Sequence, residues 1–310
     1  MTAMSLEQEI KDKALALGFD AVGITDASPI AAEHVEHFEA WLRSGCAGRM
    51  DYMHRNLEKR VHPAKLLDGA QSVIVVALNY GVDMVGTAHP TRGEPVGNVA
   101  QYAQYEDYHP FIKSLLGELA DFIRAQTDAA QRFKICVDSA PLAEKALAVR
   151  AGLGFLGKNH LLIHPRFGPQ ILLGEIATTV SLHPDQEHRG SCGGCDRCLK
   201  ACPTGALRPE GFLDASRCIS YLTQYDVEVA PSSGRNWLFG CDECLLACPY
   251  QQNAPACANR RFKWYAERAE LSLREALELT AEAFEARFHD SPVKRLGLET
   301  FKRNVRRCLK

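Results

Sequence analysis

The twelve residues CGGCDRCLKACP (192–203) decide how this part of the chain folds. Their cysteines follow the pattern Cys192-x2-Cys195-x2-Cys198-x3-Cys202-Pro203, the spacing of bacterial 4Fe-4S ligand runs. In that pattern three closely spaced thiolates bind one cube, and the fourth cysteine binds a second cube. The run therefore predicts two 4Fe-4S clusters and a polypeptide that folds around them.

A second run completes the ligand set. Cys241-x2-Cys244-x3-Cys248-Pro249 repeats the pattern without its first cysteine, and Cys218 lies upstream to replace it. When the last cysteine of each run crosses to the other cube, every ligand is assigned. The first cluster then has Cys192, Cys195, Cys198 and Cys248, and the second has Cys202, Cys218, Cys241 and Cys244.

Zinc and disulfides are the competing interpretations of so many cysteines. Structural zinc favours four cysteines in two C-x2-C pairs, and the run at 192–203 would leave it with triplets. Disulfides need an oxidising compartment. The N-terminus lacks the basic start and apolar middle of a secretory signal, so we expect the chain in the cytosol. Four further cysteines, Cys46, Cys136, Cys257 and Cys308, are interpreted as ordinary core or surface residues.

Composition indicates a soluble globular protein. The 310 residues are 46% hydrophobic and 24% charged, enough apolar content for one large domain or two ordinary ones. The longest apolar run, at 73–78, is too short to cross a bilayer, which predicts no membrane contact.

Helix and strand signals alternate before the cysteine runs and end in helices after them. Ser5 with Gln8, and Ser272 with Glu275, form capping boxes, and Ser28 with Pro29 predicts a helix start. The patterns predict helices at 5–17, 28–43, 110–127, 141–151, 272–288 and 296–308, strands at 19–24, 72–80, 133–137 and 170–177, and a loop at 81–100. We therefore expect an α+β protein with a layered α/β domain (1–180), a ferredoxin-like domain (181–258) and C-terminal helices (259–310).

The last seventeen residues are basic, although the chain has a net charge of −2. Glu299 is the one acidic residue there, and the basic residues are Lys294, Arg295, Lys302, Arg303, Arg306, Arg307 and Lys310. Such a segment predicts an anionic partner, and a solvated helix face is the alternative.

A short motif at 107–112 suggests cobalt ligation but lacks one required residue. Asp107-x-His109 is similar to the start of the signature by which some proteins ligate cobalamin through histidine. That signature needs a glycine at the position of Ile112, so cobalt ligation by His109 is not predicted.

Ordered segments over almost the whole chain resemble the epoxyqueuosine reductase family. They are GRMDYMHRNLEKRVHPAKLL (48–67), AQSVIVVALNY (70–80), EDYHPFIKSLL (106–116), VDSAPLAEKALAVRAGLGFLGKNHLLIHPRFG (137–168), LLGEI (172–176), RCISYLTQ (217–224), GCDECLLACP (240–249) and SPVKRLGLETFKRNV (291–305). Some members carry a further helical-repeat domain, and this chain stops just after the basic helix, so the resemblance implies a short form.

The resemblance implies a reaction and its cofactors. Members of the family reduce epoxyqueuosine to queuosine at the wobble position of tRNA, and electrons pass from two 4Fe-4S clusters to cobalamin. We therefore expect cobalamin in a reductive-dehalogenase-like domain at 1–180. The implied partners of a monomeric enzyme are tRNA carrying epoxyqueuosine and an external low-potential electron donor.

The resemblance also implies roles for particular residues. Asp138 is the expected proton donor, which would require a raised pKa from burial against the cofactor. Its alternative is a helix cap, since Asp-Ser-Ala-Pro is a good capping sequence. The expected cobalamin contacts are Arg60, Asp138, Lys158, Asn159, Gln224, Cys241 and Asp242, and the expected tRNA contacts are Lys294, Arg295, Lys302, Arg303, Arg306 and Arg307.

Two other function classes compete with this one. A cobalamin and iron–sulfur dehalogenase acting on small molecules would have no evident use for the basic segment at 294–310. A two-cluster electron carrier would not need about 180 residues before its clusters.

Overall fold

The computed structural model describes residues 4–82, 95–225 and 235–310. Its strands are β1 (Ala21–Asp26), β2 (Ser72–Asn79), β3 (Val96–Val99), β4 (Phe133–Cys136), β5 (Phe155–Leu156), β6 (Leu162–Ile163), β7 (Ile171–Thr178), β8 (Trp237–Phe239) and β9 (Glu270–Ser272). The first sheet has the order β1-β2-β7-β4 with antiparallel neighbours, the second has the order β8-β3-β9, and β5 pairs with β6. The α+β class is confirmed.

The helices are spread along the same chain. They are α1 (Leu6–Leu17), α2 (Ala32–Arg43), α3 (Leu57–Val61), α4 (Pro63–Leu66), α5 (Gln101–Gln104), α6 (Tyr108–Arg124), α7 (Glu144–Arg150), α8 (Arg197–Ala201), α9 (Ile219–Gln224), α10 (Glu243–Leu246), α11 (Pro249–Gln252), α12 (Leu273–Glu278), α13 (Ala281–Phe288) and α14 (Leu298–Cys308). Within the described residues, none of these helices has the length and apolar character needed to span a membrane.

The first sheet lies between two apolar layers. Helices α1 and α6 cover one face through residues such as Ile10 and Leu119, and α7 covers the other through Leu147. All eight residues of the central strand β2 are buried, which explains its continuous apolar run. Strand β4 lies at the edge of this sheet and ends at Cys136, two residues before Asp138.

The second sheet joins distant parts of the chain. Strand β3 pairs in parallel with β8, which lies between the cysteine runs, and in antiparallel with β9 near the C-terminal helices. The buried Asn304 side chain donates hydrogen bonds to the carbonyls of Thr223 (2.8 Å) and Leu238 (2.9 Å), so α14 is fixed to this assembly. The loop predicted at 81–100 is therefore wrong at Val96–Val99, and its residues 83–94 lie outside the described residues.

The two helix starts predicted from capping boxes, at Ser5 and Ser272, are confirmed. Ser5 caps α1 and Gly18 ends it in a left-handed conformation, as predicted. Ser28 and Pro29 do not start α2, because Arg150 binds both of their carbonyl oxygens and holds this segment as a bend.

Two other helix predictions need correction. The helix predicted at 272–288 is divided into α12 and α13, because Thr280 caps a second helix by accepting the Ala283 N–H. The start predicted at Pro141 is also wrong, since α7 begins at Glu144.

Candidate active site

The first group of cysteine thiols comprises Cys192 and Cys195 from the loop before α8, Cys198 from α8 itself, and Cys248. Burial raises the pKa of Cys198, and the neighbouring charges of Cys192 and Cys195 raise it further. The pKa of Cys248, which precedes α11, is raised by burial and by the charges of the same two cysteines. Cys248 thus lies with the first run, although it belongs to the second run in sequence.

The remaining four thiols form a second group. Burial is the largest cause of the raised pKa values of Cys218, Cys241 and Cys244. The charge of Cys202 contributes to those of Cys218 and Cys244. Among the described residues, no three candidate ligands converge on one point as the ligands of a single metal ion do. A cube has a different requirement, because each thiolate binds its own iron.

Lys158 and Asn159 lie between the two thiol groups. Lys158 Nζ donates to the carbonyls of Gly193 and Cys195, both at 2.9 Å, and the Lys158 amide lies 3.4 Å from Cys192 Sγ. The Asn159 side chain lies 3.5 Å from the Cys244 carbonyl. Both residues therefore support the cysteine loops, a placement that their sequence context did not indicate.

A cavity of about 720 Å³ lies beside the second group. Its lining is rich in side-chain amides, including Gln101, Gln170 and Gln251, and includes Asp242. The Asp242 carboxylate accepts the Gln101 N–H at 2.7 Å, and burial raises its pKa to about 6. Gln251 donates from its side-chain amide to Gln170 in the cavity lining, and its Oε1 is buried without a hydrogen-bond partner among the described residues.

Asp138 lies on a tight turn at the end of β4. Its backbone has the left-handed φ of 53°, and the Ser139 N–H donates to the Val137 carbonyl across it. The Asp138 N–H donates to Glu144 Oε1 at 2.6 Å. The capping alternative is wrong, since α7 begins beyond Asp138 and has no side-chain cap.

The Asp138 side chain is hydrogen-bonded, although 58% of it is exposed. Its carboxylate accepts hydrogen bonds from the Tyr108 hydroxyl and from His109 Nε2, both at 3.1 Å, and His109 Nδ1 lies 2.7 Å from Asp107. The bond with His109 is the largest cause that lowers the pKa of Asp138. Burial opposes protonation of His109, but its bonds to Asp107 and Asp138 outweigh this and raise its pKa. The partners of Asp138 thus lower its pKa in this structure, and the raised pKa expected from burial against the cofactor stays a prediction.

Arg60 is bonded to the loop that follows this turn, whereas Gln224 lies at the end of α9. The Arg60 carbonyl accepts the Ala143 N–H at 2.9 Å, and Arg60 Nε is buried without a partner among the described residues. Gln224 is exposed at the end of α9, where its amide donates to the Ser220 carbonyl.

The basic segment has both structural and exposed side chains. Arg303 and Arg307 lie against the carbonyls of Thr223 (3.5 Å) and Leu222 (3.1 Å), and Lys294 pairs with Glu285. Arg295 lies 3.9 Å from Asp107, beside the Asp138 site, and its charge helps to lower the pKa of Asp138. Arg306 is exposed and Lys302 is half-buried.

Sequence reasoning missed Tyr108, His109 and the amides of the cavity. The motif Asp107-x-His109 was a usable signal, but it was interpreted as a candidate cobalt-binding motif. It was not recognised as the source of a hydrogen-bond partner for Asp138. Gln101, Gln170 and Gln251 stand in no pattern that marks a binding site.

The fold and the two thiol groups define an iron–sulfur oxidoreductase in which a double-cluster segment is joined to an α+β domain. The family model for the 4Fe-4S double cluster binding domain matches residues 191–251. The model for "Epoxyqueuosine reductase QueG, DUF1730" matches residues 60–139, which include Arg60 and Asp138.

Full-length relatives identify the family. An epoxyqueuosine reductase from Leadbetterella byssophila is 36% identical over 96% of this chain and 96% of its own length. A crystal structure of an epoxyqueuosine reductase with an epoxyqueuosine-modified tRNA-Tyr stem loop has a TM-score of 0.90 at 31% identity, over 98% of this chain and 80% of that chain. A Bacillus subtilis epoxyqueuosine reductase, with its catalytic aspartate loop swung out of the active site, has a TM-score of 0.89 at 30% identity, over 98% and 81%. The chain belongs to the epoxyqueuosine reductase family.

Proposed function

We propose that the chain reduces epoxyqueuosine to queuosine at the wobble position of tRNA, with two 4Fe-4S clusters and cobalamin as cofactors. The observation that carries the proposal is the hydrogen-bonded Asp138 carboxylate, which lies close to the basic Arg295. Tyr108, which donates to Asp138, packs against Tyr102, and Tyr102 is the chain neighbour of the cavity residue Gln101. The relative bound to an epoxyqueuosine-modified stem loop supports the substrate.

The residues of the cavity fit an amide-bearing cofactor such as cobalamin. Asp242, Gln101, Gln170 and Gln251 would hold it, because carboxylate and amide side chains pair with the amide groups at its edge. When bound, cobalamin and the clusters supply the two electrons that the reduction needs. We place the cofactor in the domain at 1–180 together with Asp242 from the domain at 181–258.

The protein must supply the protons. Loss of the epoxide oxygen as water leaves an alkene and takes two electrons and two protons. We assign proton delivery to Asp138, whose side chain is exposed, and the replacement of that proton to His109, whose Nε2 lies 3.1 Å from the Asp138 carboxylate. Asp107 orients His109, and the Tyr108 hydroxyl donates the second hydrogen bond to the Asp138 carboxylate.

A direct assay tests the proposed function. Anaerobically reconstituted protein should convert epoxyqueuosine-containing tRNA to queuosine-containing tRNA, and omission of cobalamin should abolish conversion. Cobalamin added to the protein should also change its visible spectrum. Full cluster loading with cobalamin bound but no conversion would contradict the proposed substrate, and an unchanged spectrum would favour an electron carrier.

The half-buried Lys302 and the exposed Arg306 of the basic segment should contact tRNA phosphates. Replacing Lys302 and Arg306 by Ala should weaken the binding of all substrate tRNAs alike. The slope of log K against log salt should become shallower by about 1.4 to 1.8, because each phosphate contact contributes about 0.7 to 0.9. Arg303 and Arg307 are left intact because they bind backbone carbonyls. The exposed Arg43 provides the control Arg43→Ala. An unchanged slope would identify the segment as a solvated face.

A further inference from the structure

The backbone at Asp138 is strained. A non-glycine residue with φ of 53° at the centre of a three-residue turn adopts a conformation that is rare, and such turns persist where neighbouring groups hold them. The turn determines where the Asp138 carboxyl points, since it follows β4 directly. Some group must therefore keep the turn closed.

Glu144 is placed to do this. Its Oε1 accepts the Asp138 N–H at 2.6 Å, from the first position of α7. The other end of the loop is held where the Ala143 N–H donates to the Arg60 carbonyl. The loop between β4 and α7 is thus closed at both ends, and Glu144 makes the side-chain contact nearest to the strained residue.

A second carboxyl group is buried in the sheet where this loop begins. Glu175 is completely buried at 0% exposure on β7, between Val75 and Cys136 of the neighbouring strands. Both of its side-chain oxygens are buried without a hydrogen-bond partner among the described residues. Burial raises the pKa of Glu175 well above its ordinary value, and the charge of Glu144 adds to this, so Glu175 is favoured in its neutral form. Glu144 is therefore the carboxylate of this pair that accepts the Asp138 N–H.

We propose that Glu144 is a positioning residue for Asp138, whose amide it holds in the strained turn so that the exposed carboxyl keeps its hydrogen bond to His109. The inference rests on the proposed role of Asp138 and adds the group that places it. It also assigns a role to an acidic residue that the proton transfer itself does not use.

The test compares Glu144→Ala with Glu144→Gln, because the amide keeps an oxygen acceptor for the Asp138 N–H and alanine does not. Glu144→Ala should lower kcat by about 10- to 100-fold, within the usual range for misplacing a catalytic group. The KM for tRNA and the iron content should stay within about twofold. Glu144→Gln should keep kcat within about threefold. The exposed Glu36 provides the control Glu36→Ala.

Hydrogen exchange supplies a measurement that needs no turnover. Amide exchange in residues 137–143 should accelerate by about tenfold or more in Glu144→Ala and stay near the wild-type rate in Glu144→Gln. Glu144→Leu, which fills the same space, repeats the comparison if the alanine variant does not fold. Wild-type kcat and exchange in the variants without an acceptor, or equal loss in Glu144→Gln, would overturn the proposal. Because exchange needs no substrate, a failure of the proposed function would remain distinguishable.

Discussion

The Asp138→Asn variant should keep its cofactors and lose about 100- to 10,000-fold in turnover, the usual contribution of a positioned general acid. Asparagine has nearly the same shape, but its amide cannot deliver a proton to the epoxide oxygen. It also tolerates the left-handed backbone at this position, so the turn should survive. Single-turnover assays of protein with confirmed iron and cobalamin content measure the effect. A near-wild-type rate would remove Asp138 from the mechanism.

The pH dependence of kcat for the same reaction tests whether His109 supplies the proton. Because the Asp138–His109 pair must hold a proton, kcat should fall as the pH rises through the pKa of His109, which is raised above 6.5. In His109→Gln, Asp138 must hold the proton alone, so the fall should move to lower pH. Identical profiles for both proteins would show that His109 does not supply the proton.

Replacement of cluster ligands should remove iron in steps of about four. With about eight irons per reconstituted chain, Cys218→Ala and Cys248→Ala should each leave about four and abolish turnover. The two substitutions together should leave no cluster if the crossed assignment holds, because the two cysteines belong to different thiol groups. Iron and labile sulfide analysis of the three proteins measures this.

The double variant also identifies the alternatives. If each run bound its own cube, Cys218 and Cys248 would share a cluster, and their double replacement would still leave about four irons. Two zinc ions and no labile sulfide would contradict the iron–sulfur assignment itself. Cys257→Ala and Cys308→Ala are the controls and should keep about eight irons, since the structure places neither among the two thiol groups.

The sequence predicted those elements whose signals are local. Ser5 and Gly18 define α1 by hydrogen bonds within a few residues, and the apolar run of β2 needs no partner to be recognised. Strand β3 has no such signal, because its neighbours are β8 and β9, far along the chain. The helix start predicted at Ser28 was wrong for the same reason, since the distant Arg150 determines the conformation of Ser28.

In the candidate site, too, local signals predicted some features, and contacts between distant residues determine the others. The cysteine spacing alone predicted two crossed sets, because ligand runs of this kind carry their geometry in the sequence. The role of Asp138 came from resemblance, whereas its partners His109 and Glu144 come from α6 and α7 and meet it only in the folded chain. The cobalamin contact expected of Lys158 stays a prediction, and the contacts that the structure shows for its side chain are with the cysteine loop.

The order of the second sheet has a consequence for biosynthesis. Strand β3 leaves the ribosome about 170 residues before β9, a delay of roughly 10 to 35 s at ordinary translation rates. Until β8 and then β9 emerge, β3 has two open edges, which are sites for unwanted strand pairing. A chain released before Ser272 therefore lacks the strand that covers one edge of β3, which leaves that edge open to pairing with other chains.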